Sequence, residues 1–129
     1  MTQQPDDSEK LLDSVSAARG YSLPLHEVLA EHDPDVLEGY ERMMRALYLS
    51  DRRLDGKTKE FVYVAVLVAL GAAEEHIRAH MEKAVREGAT KEDVLEAIEL
   101  IVPAAGVARA NVGFEIWRRV FGLTADGNG

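Results

Sequence analysis

The sequence predicts an all-α protein, a single-domain helical bundle of about five core helices that assembles as an oligomer. Three observations carry this expectation. Apolar residues recur every three or four positions through most of the chain. No strand-like alternation survives beyond short runs, and Phe61 to Leu70 is too long an apolar run for a typical strand and lies between helical segments. With 129 residues, 47% of them hydrophobic, the chain holds enough apolar surface for one domain core without cross-links.

Residues 1–20 are rich in acids, Gln and Ser with little apolar periodicity, and read as a flexible tail with room for a short frayed helix. The folded domain is expected over 21–125. Asp33-Pro-Asp opens the first core helix, since Asp caps exposed amides and proline suits the first turn. Val36, Leu37, Tyr40, Met43, Met44, Leu47 and Tyr48 continue it at helical spacing. The polar stretch from Ser50 to Gly56 separates it from a second helix, about Asp55 to Gly71. From Phe61 to Leu70 the only polar side-chain atom is the Tyr63 hydroxyl, so this helix is apolar on nearly every face. A domain this small can hardly enclose such a helix by itself, and a subunit interface is expected to cover part of it.

The third helix runs from about Ala73 to Glu87, with Ala73, Ile77, His80, Met81 and Ala84 as its buried stripe and Gly88 as its C-terminal stop. Thr90 and Asp93 form a capping-box variant opening a fourth helix, whose Val94, Leu95, Ile98, Ile101 and Val102 face inward until Pro103 ends or kinks it. The last helix, about Ala104 to Phe121, begins with small residues suited to close backbone approach and ends in Phe114, Trp117 and Phe121. Leu123 to Gly129 reads as a frayed end.

Composition narrows the chemistry. Zero cysteines remove disulfides, thiolate ligands and cysteine nucleophiles. The N-terminus lacks the basic start and apolar core of a secretory signal, and the longest apolar run is too short to span a bilayer. Cytoplasmic residence without membrane association is therefore expected. A net charge of −8 disfavours nucleic acid and anionic membranes, so a small anionic substrate would need a local basic pocket. There is no phosphate-binding glycine loop, and Ser14 and Ser16 lie outside any nucleophile elbow.

The sharpest feature is a pair of histidines four residues apart, His76 and His80, near the start of the third helix. At 100° per residue, His80 falls within the buried stripe and His76 on its border, with Lys83 and Glu87 close by. A titratable ring on an apolar stripe is a candidate acid or base; the alternative is a core histidine satisfied by a backbone carbonyl. The pair has the spacing of helical metal sites, with Glu75, Glu87 or Glu60 as a third ligand, but Ile77 stands where zinc proteases keep glutamate, and no metal is expected. Glu60 precedes the apolar run; spacing alone favours a solvated carboxylate paired with Lys57 or Arg53, while the functional alternative points it at His80. Asn111, between Ala110 and Val112, is read as a buried polar group, Arg109 as positive charge for a substrate carboxylate, and Tyr63 as a donor or a core ring.

Taken in order, Leu54-Asp-Gly-Lys-Thr-Lys-Glu60, His76-Ile-Arg-Ala-His80, Gly88-Ala-Thr-Lys-Glu-Asp-Val-Leu-Glu-Ala97 and Ala105-Gly-Val-Ala-Arg-Ala-Asn111 resemble the superfamily of carboxymuconolactone decarboxylases and alkylhydroperoxidase-D-like proteins. The peroxidase branch carries Cys-x-x-Cys, a histidine four residues on and an upstream glutamate in a proton relay. The resemblance maps that histidine to His80 and the glutamate to Glu60, while Ala73 and His76 replace the cysteines. Thiol peroxidase chemistry is impossible without the thiolate.

The decarboxylase branch implies cofactor-free loss of CO₂ from a carboxylated lactone in aromatic-acid catabolism, within a trimer or hexamer whose pocket lies near a subunit interface. On this resemblance His80 is the proton donor or substrate binder, Glu60 tunes it, His76 adds a second donor, and Arg109, Asn111 and Tyr63 contact the substrate. The alternative is a divergent or idle member that binds a small ligand or a metal through His76 and His80.

Overall fold

The computed structural model describes residues 3–122, and these are helical with short connections. Two compact units divide between Arg52 and Arg53. The first holds α1 (Gln3–Arg19), α2 (Pro24–His32) and α3 (Pro34–Met44), the last continued by a wider π-type turn over Arg45–Leu49. The second holds α4 (Gly56–Leu70), α5 (Glu74–Arg86), α6 (Lys91–Glu99), α7 (Ile101–Ala105) and α8 (Val107–Trp117), with a π-type turn over Arg118–Gly122. The expected frayed end at Leu123–Gly129 lies outside the described residues. No helix among the described residues is long and apolar enough to cross a membrane.

The first unit departs from the expected tail. Leu11, Val15 and Ala18 recur at helical spacing, so α1 has one narrow apolar stripe, and Val15 is buried in a cluster with Ala30 and Leu37. Ser8 donates to the Ala30 carbonyl at 2.8 Å, and Arg19 pairs with Glu41 in the interior. A short apolar stripe reinforced by buried polar bonds is weak in sequence and effective in three dimensions. In α3, Asp33 occupies the cap position but its side chain makes no capping bond; Pro34 sets the first turn instead. Leu37, Glu41, Met44 and Tyr48 form the buried row, leaving Val36, Met43 and Leu47 exposed.

The second unit follows the expected helices with two shifts. Asp55 caps α4 by accepting from the Thr58 amide at 2.8 Å. Gly71, at φ 75°, closes α4: its own amide bonds the Val68 carbonyl, and the Ala72 amide bonds Leu67. Gly88, at φ 105°, ends α5 by the same paired pattern, with the Gly88 amide on Val85 and the Ala89 amide on Ala84. The Thr90–Asp93 capping box is reciprocal, at 3.0 and 2.9 Å. Pro103 sits within the first turn of α7, where its missing amide proton costs little, and the break falls at Gly106. The last helix therefore begins at Val107 rather than Ala104.

The core gathers Val64 and Val68 of α4, Ile77, Met81 and Ala84 of α5, Val94 and Ile98 of α6, Ile101 of α7, and Ala110 and Ile116 of α8. Ala73 was expected in the buried stripe but is exposed, because it serves as the extended cap residue ahead of α5. Trp117 donates its indole N–H to the Lys91 carbonyl at 2.9 Å, tying α8 to the start of α6. Val62, Val66 and Leu70 are exposed at 48%, 48% and 71%, an apolar row along one side of α4.

Gly113 sets the approach of α8 to its neighbours, since an added Cβ would lie 2.9 Å from Val68 Cγ1 and 3.0 Å from Ile98 Cγ2. Gly113→Ala is expected to overpack this crossing and lower stability by about 1–3 kcal/mol, read as a reduced urea midpoint at unchanged slope.

Candidate active site

Two helices supply the site. On α4 the buried positions are Glu60, Val64 and Val68, spaced four apart, so Glu60 continues the core-facing row into the second turn. On α5 the buried positions are Ile77, His80, Met81 and Ala84, which turns the His80 ring toward α4. The two polar groups meet inside the core: His80 Nδ1 lies 2.6 Å from Glu60 Oε1, with His80 0% and Glu60 1% exposed. The solvated Glu60 that spacing favoured is thus replaced by a buried one.

Tyr63, one turn after Glu60, stacks on His80 with ring centroids 4.6 Å apart and planes 25° apart. His76 meets the same ring at 5.2 Å with planes at 48°. Glu60, Tyr63, His76 and His80 therefore form one cluster between α4 and α5. With Glu60 as carboxylate, His80 Nδ1 is the donor of the short bond, and Nε2 is the nitrogen through which proton exchange with a ligand would run. Burial holds the His76 pKa below the ordinary 6.5, and the neighbouring His80 pushes it the same way. A neutral His76 offers both a donor and an acceptor.

The remaining expected residues lie elsewhere. Asn111 is exposed rather than buried, because α8 turns Ala110, Gly113 and Ile116 inward and rotates Asn111 outward. It lines an open cleft of about 360 Å³ with Leu95, Phe114, Glu115, Trp117 and Arg118, none of which belongs to the histidine cluster. Arg109 is exposed, its guanidinium laid over Gly71, where a Cβ would overlap it. That places positive charge on the α4–α5 connection, at the end of the helix pair that carries His76. Glu75 is exposed, and the Glu87 carboxylate lies against Gly56 at the start of α4, where the helix dipole favours negative charge. Among the described residues no three His, Cys, Asp or Glu side chains converge as a metal-holding group.

The sequence profile of the carboxymuconolactone decarboxylase family matches residues 34–119, which include all four residues of the cluster. No curated protein matches the chain. A crystal structure of a provisionally named carboxymuconolactone decarboxylase from Burkholderia xenovorans LB400 superposes with a TM-score of 0.73 at 18% identity, covering 90% of this chain and 92% of that one. At that identity the likeness is one of fold.

The His76 shift carries a sign. Because its folded pKa lies below the unfolded 6.5, the unfolded chain binds the proton more readily, and stability falls as pH drops through 6.5 toward the folded value. His76→Gln removes that term. The stability difference between wild type and His76→Gln, measured by urea unfolding, is expected to shift in favour of the variant between pH 7.5 and pH 5; a constant difference contradicts the assignment.

Proposed function

This chain belongs to the carboxymuconolactone decarboxylase family, and from that premise we propose that it is a cofactor-independent decarboxylase acting on a small carboxylated lactone in aromatic-compound catabolism. The observation that carries the reading is the buried Glu60–His80 pair, because a carboxylate on Nδ1 orients an imidazole to give or take a proton at Nε2. Loss of CO₂ breaks the bond to the carboxyl carbon and leaves its electron pair on the lactone as an enolate. A proton must then be delivered to carbon. His80 supplies it from Nε2 while Nδ1 stays on Glu60, and solvent returns a proton to the ring before the next turnover.

The other members of the cluster support this reading. Tyr63 stacks on His80 and restrains the ring plane. His76, neutral near pH 7, donates a hydrogen bond to the developing enolate oxygen. Arg109, over Gly71, supplies the positive charge that an anionic substrate needs in a protein of net charge −8. Asn111 lies outside this grouping and is given no role in it. Without cysteine the protein has no thiol peroxidase activity by the superfamily's mechanism.

The same proposal includes a cytoplasmic homo-oligomer, a trimer or hexamer, in which a second copy covers α4. The exposed row of Val62, Val66 and Leu70 supports it, since such a row is costly to leave in water.

Two measurements test these readings. Incubated with carboxymuconolactone, the wild type is expected to release CO₂, His80→Ala to lose about 10²–10⁴ in kcat/KM, and Glu60→Gln to lose less. No release by the wild type, or unchanged turnover in a folded His80→Ala, overturns the decarboxylase reading. Light scattering on the eluting protein is expected to give a multiple of 14.2 kDa that Val66→Glu reduces, and a monomeric wild type overturns the assembly.

A further inference from the structure

We propose that the cleft between α6 and α8 is a second small-molecule site, apart from the histidine cluster, and that it takes an aromatic carboxylate carrying a further polar substituent across its ring. The proposal does not depend on what the cluster catalyses.

The walls follow from how two helices turn toward the core. α8 buries Ala110, Gly113 and Ile116, and the residue after each of them, Asn111, Phe114 and Trp117, lies at the border of the packed face. On α6, Leu95 stands in the same relation to the buried Val94. Gly113 lets the two helices approach, since a Cβ there would lie 3.0 Å from Ile98 Cγ2 of α6. The facing borders enclose about 360 Å³ with half-buried Leu95, Phe114 and Trp117 as apolar sides. An apolar space of about 150 Å³ is enough for benzene, so one substituted ring fits with water at the rim. The indole is set in place beforehand: its N–H donates to the Lys91 carbonyl at 2.9 Å, and its ring meets Phe121 at 5.7 Å. With that donor engaged, Trp117 offers a ligand only its aromatic carbon.

Two polar groups at the rim select what the ring must carry. No described residue hydrogen-bonds the Asn111 side chain, so its amide keeps both donors and its acceptor for a ligand. Arg118 spends one nitrogen on Glu115 Oε1 and, among the described residues, has its other N–H donors open. That bond draws the guanidinium back to the level of Glu115, one helical turn from Asn111, or about 6 Å. A carboxylate on Arg118 and a hydroxyl or amide on Asn111 are separated by that distance when they stand opposite each other on a six-membered ring.

Charge favours an anion at the arginine end. Glu115 lines the cleft, but its two oxygens are held by Arg118 and Arg119. Arg119 also pairs with Glu74, which pairs with Arg78. Three guanidiniums thus share two carboxylates, leaving one positive charge in excess. The α6 carboxylates Glu92, Glu96 and Glu99 do not line the cleft. An arginine with open donors beside a planar apolar slot matches a carboxylate attached to a ring.

The test uses the full chain and 4-hydroxybenzoate as probe. Trp117 is the only tryptophan, so its fluorescence reports this cleft. Saturable quenching is expected with a Kd below about 1 mM, matched by the calorimetric Kd, while phenol, which lacks the charge, and cyclohexanecarboxylate, which lacks the flat ring, bind at least about tenfold more weakly. Arg118→Ala is expected to weaken binding by about tenfold or more and Asn111→Ala by severalfold. Both side chains are exposed, so neither change disturbs the core. His76→Gln is expected to leave the affinity unchanged, which separates this site from the cluster. The proposal is overturned by an absence of saturable binding, by equal binding of the three probes, by loss of binding in His76→Gln with Arg118→Ala and Asn111→Ala unaffected, or by a Trp117 signal that follows protein concentration alone, as an interface between copies would make it.

Discussion

The contact between Glu60 and His80 is the constraint on which the second unit turns. α4 is apolar on nearly every side, so hydrophobic burial alone gives it little reason to prefer one rotation about its axis over another. Glu60 removes that freedom. A rotation that carried it away from His80 would leave a buried carboxylate or imidazole unpaired, which costs far more than exchanging one valine for another at the core. The pair therefore selects the face on which Val64 and Val68 point inward, and leaves Val62, Val66 and Leu70 outside. The glycines then make that choice compatible with the rest of the chain. Gly71 turns the chain from α4 into α5, and Gly113 lets α8 close against Val68.

Each unit buries one histidine completely, and the two are held by opposite means. His80 meets a carboxylate at Nδ1, a partner that accepts. His26 meets an amide at Nδ1, a partner that donates. Neither arrangement follows from burial, which is the same for both at 0% exposure. The identity of the group opposite one nitrogen decides whether that nitrogen donates or accepts.

Much of the second unit was legible because its signals are local. The Asp55 cap, the Thr90–Asp93 box, Gly88 after α5 and the stripe of Ile77, His80, Met81 and Ala84 are set within a turn or two of chain. The Glu60–His80 contact is different: twenty residues separate its members, spacing favoured a solvated carboxylate, and only the resemblance to the decarboxylase superfamily mapped both to one relay. Asn111 was misread because flanking apolar residues do not give a helix its rotation; Ala110, Gly113 and Ile116 do. The first unit was least legible. Its helix α1 carries one narrow stripe in acidic sequence, and the groups that hold it, Arg19, His26 and Glu41, come from three helices and show no pattern along the chain. A faint local signal existed in His26, placed three residues after the cap of a Pro-initiated helix, where a capping box keeps its acceptor.

On the superfamily resemblance His76 takes the place of a cysteine of the redox branch, and its effect on the cluster follows from charge. Two imidazoles with ring centres 5.2 Å apart in a partly dry setting do not both hold a proton readily, which is part of why His76 titrates low. Glu60 offers one negative charge, and it bonds His80. A thiol in place of His76 would give the site a nucleophile and a means of exchanging electrons. An imidazole gives it a second hydrogen-bonding ring and no thiol chemistry. In the proposed reaction, replacing CO₂ by a proton at carbon consumes one proton in each turnover and calls for a donor to the enolate that precedes it, roles for which two adjacent imidazoles are chemically suited.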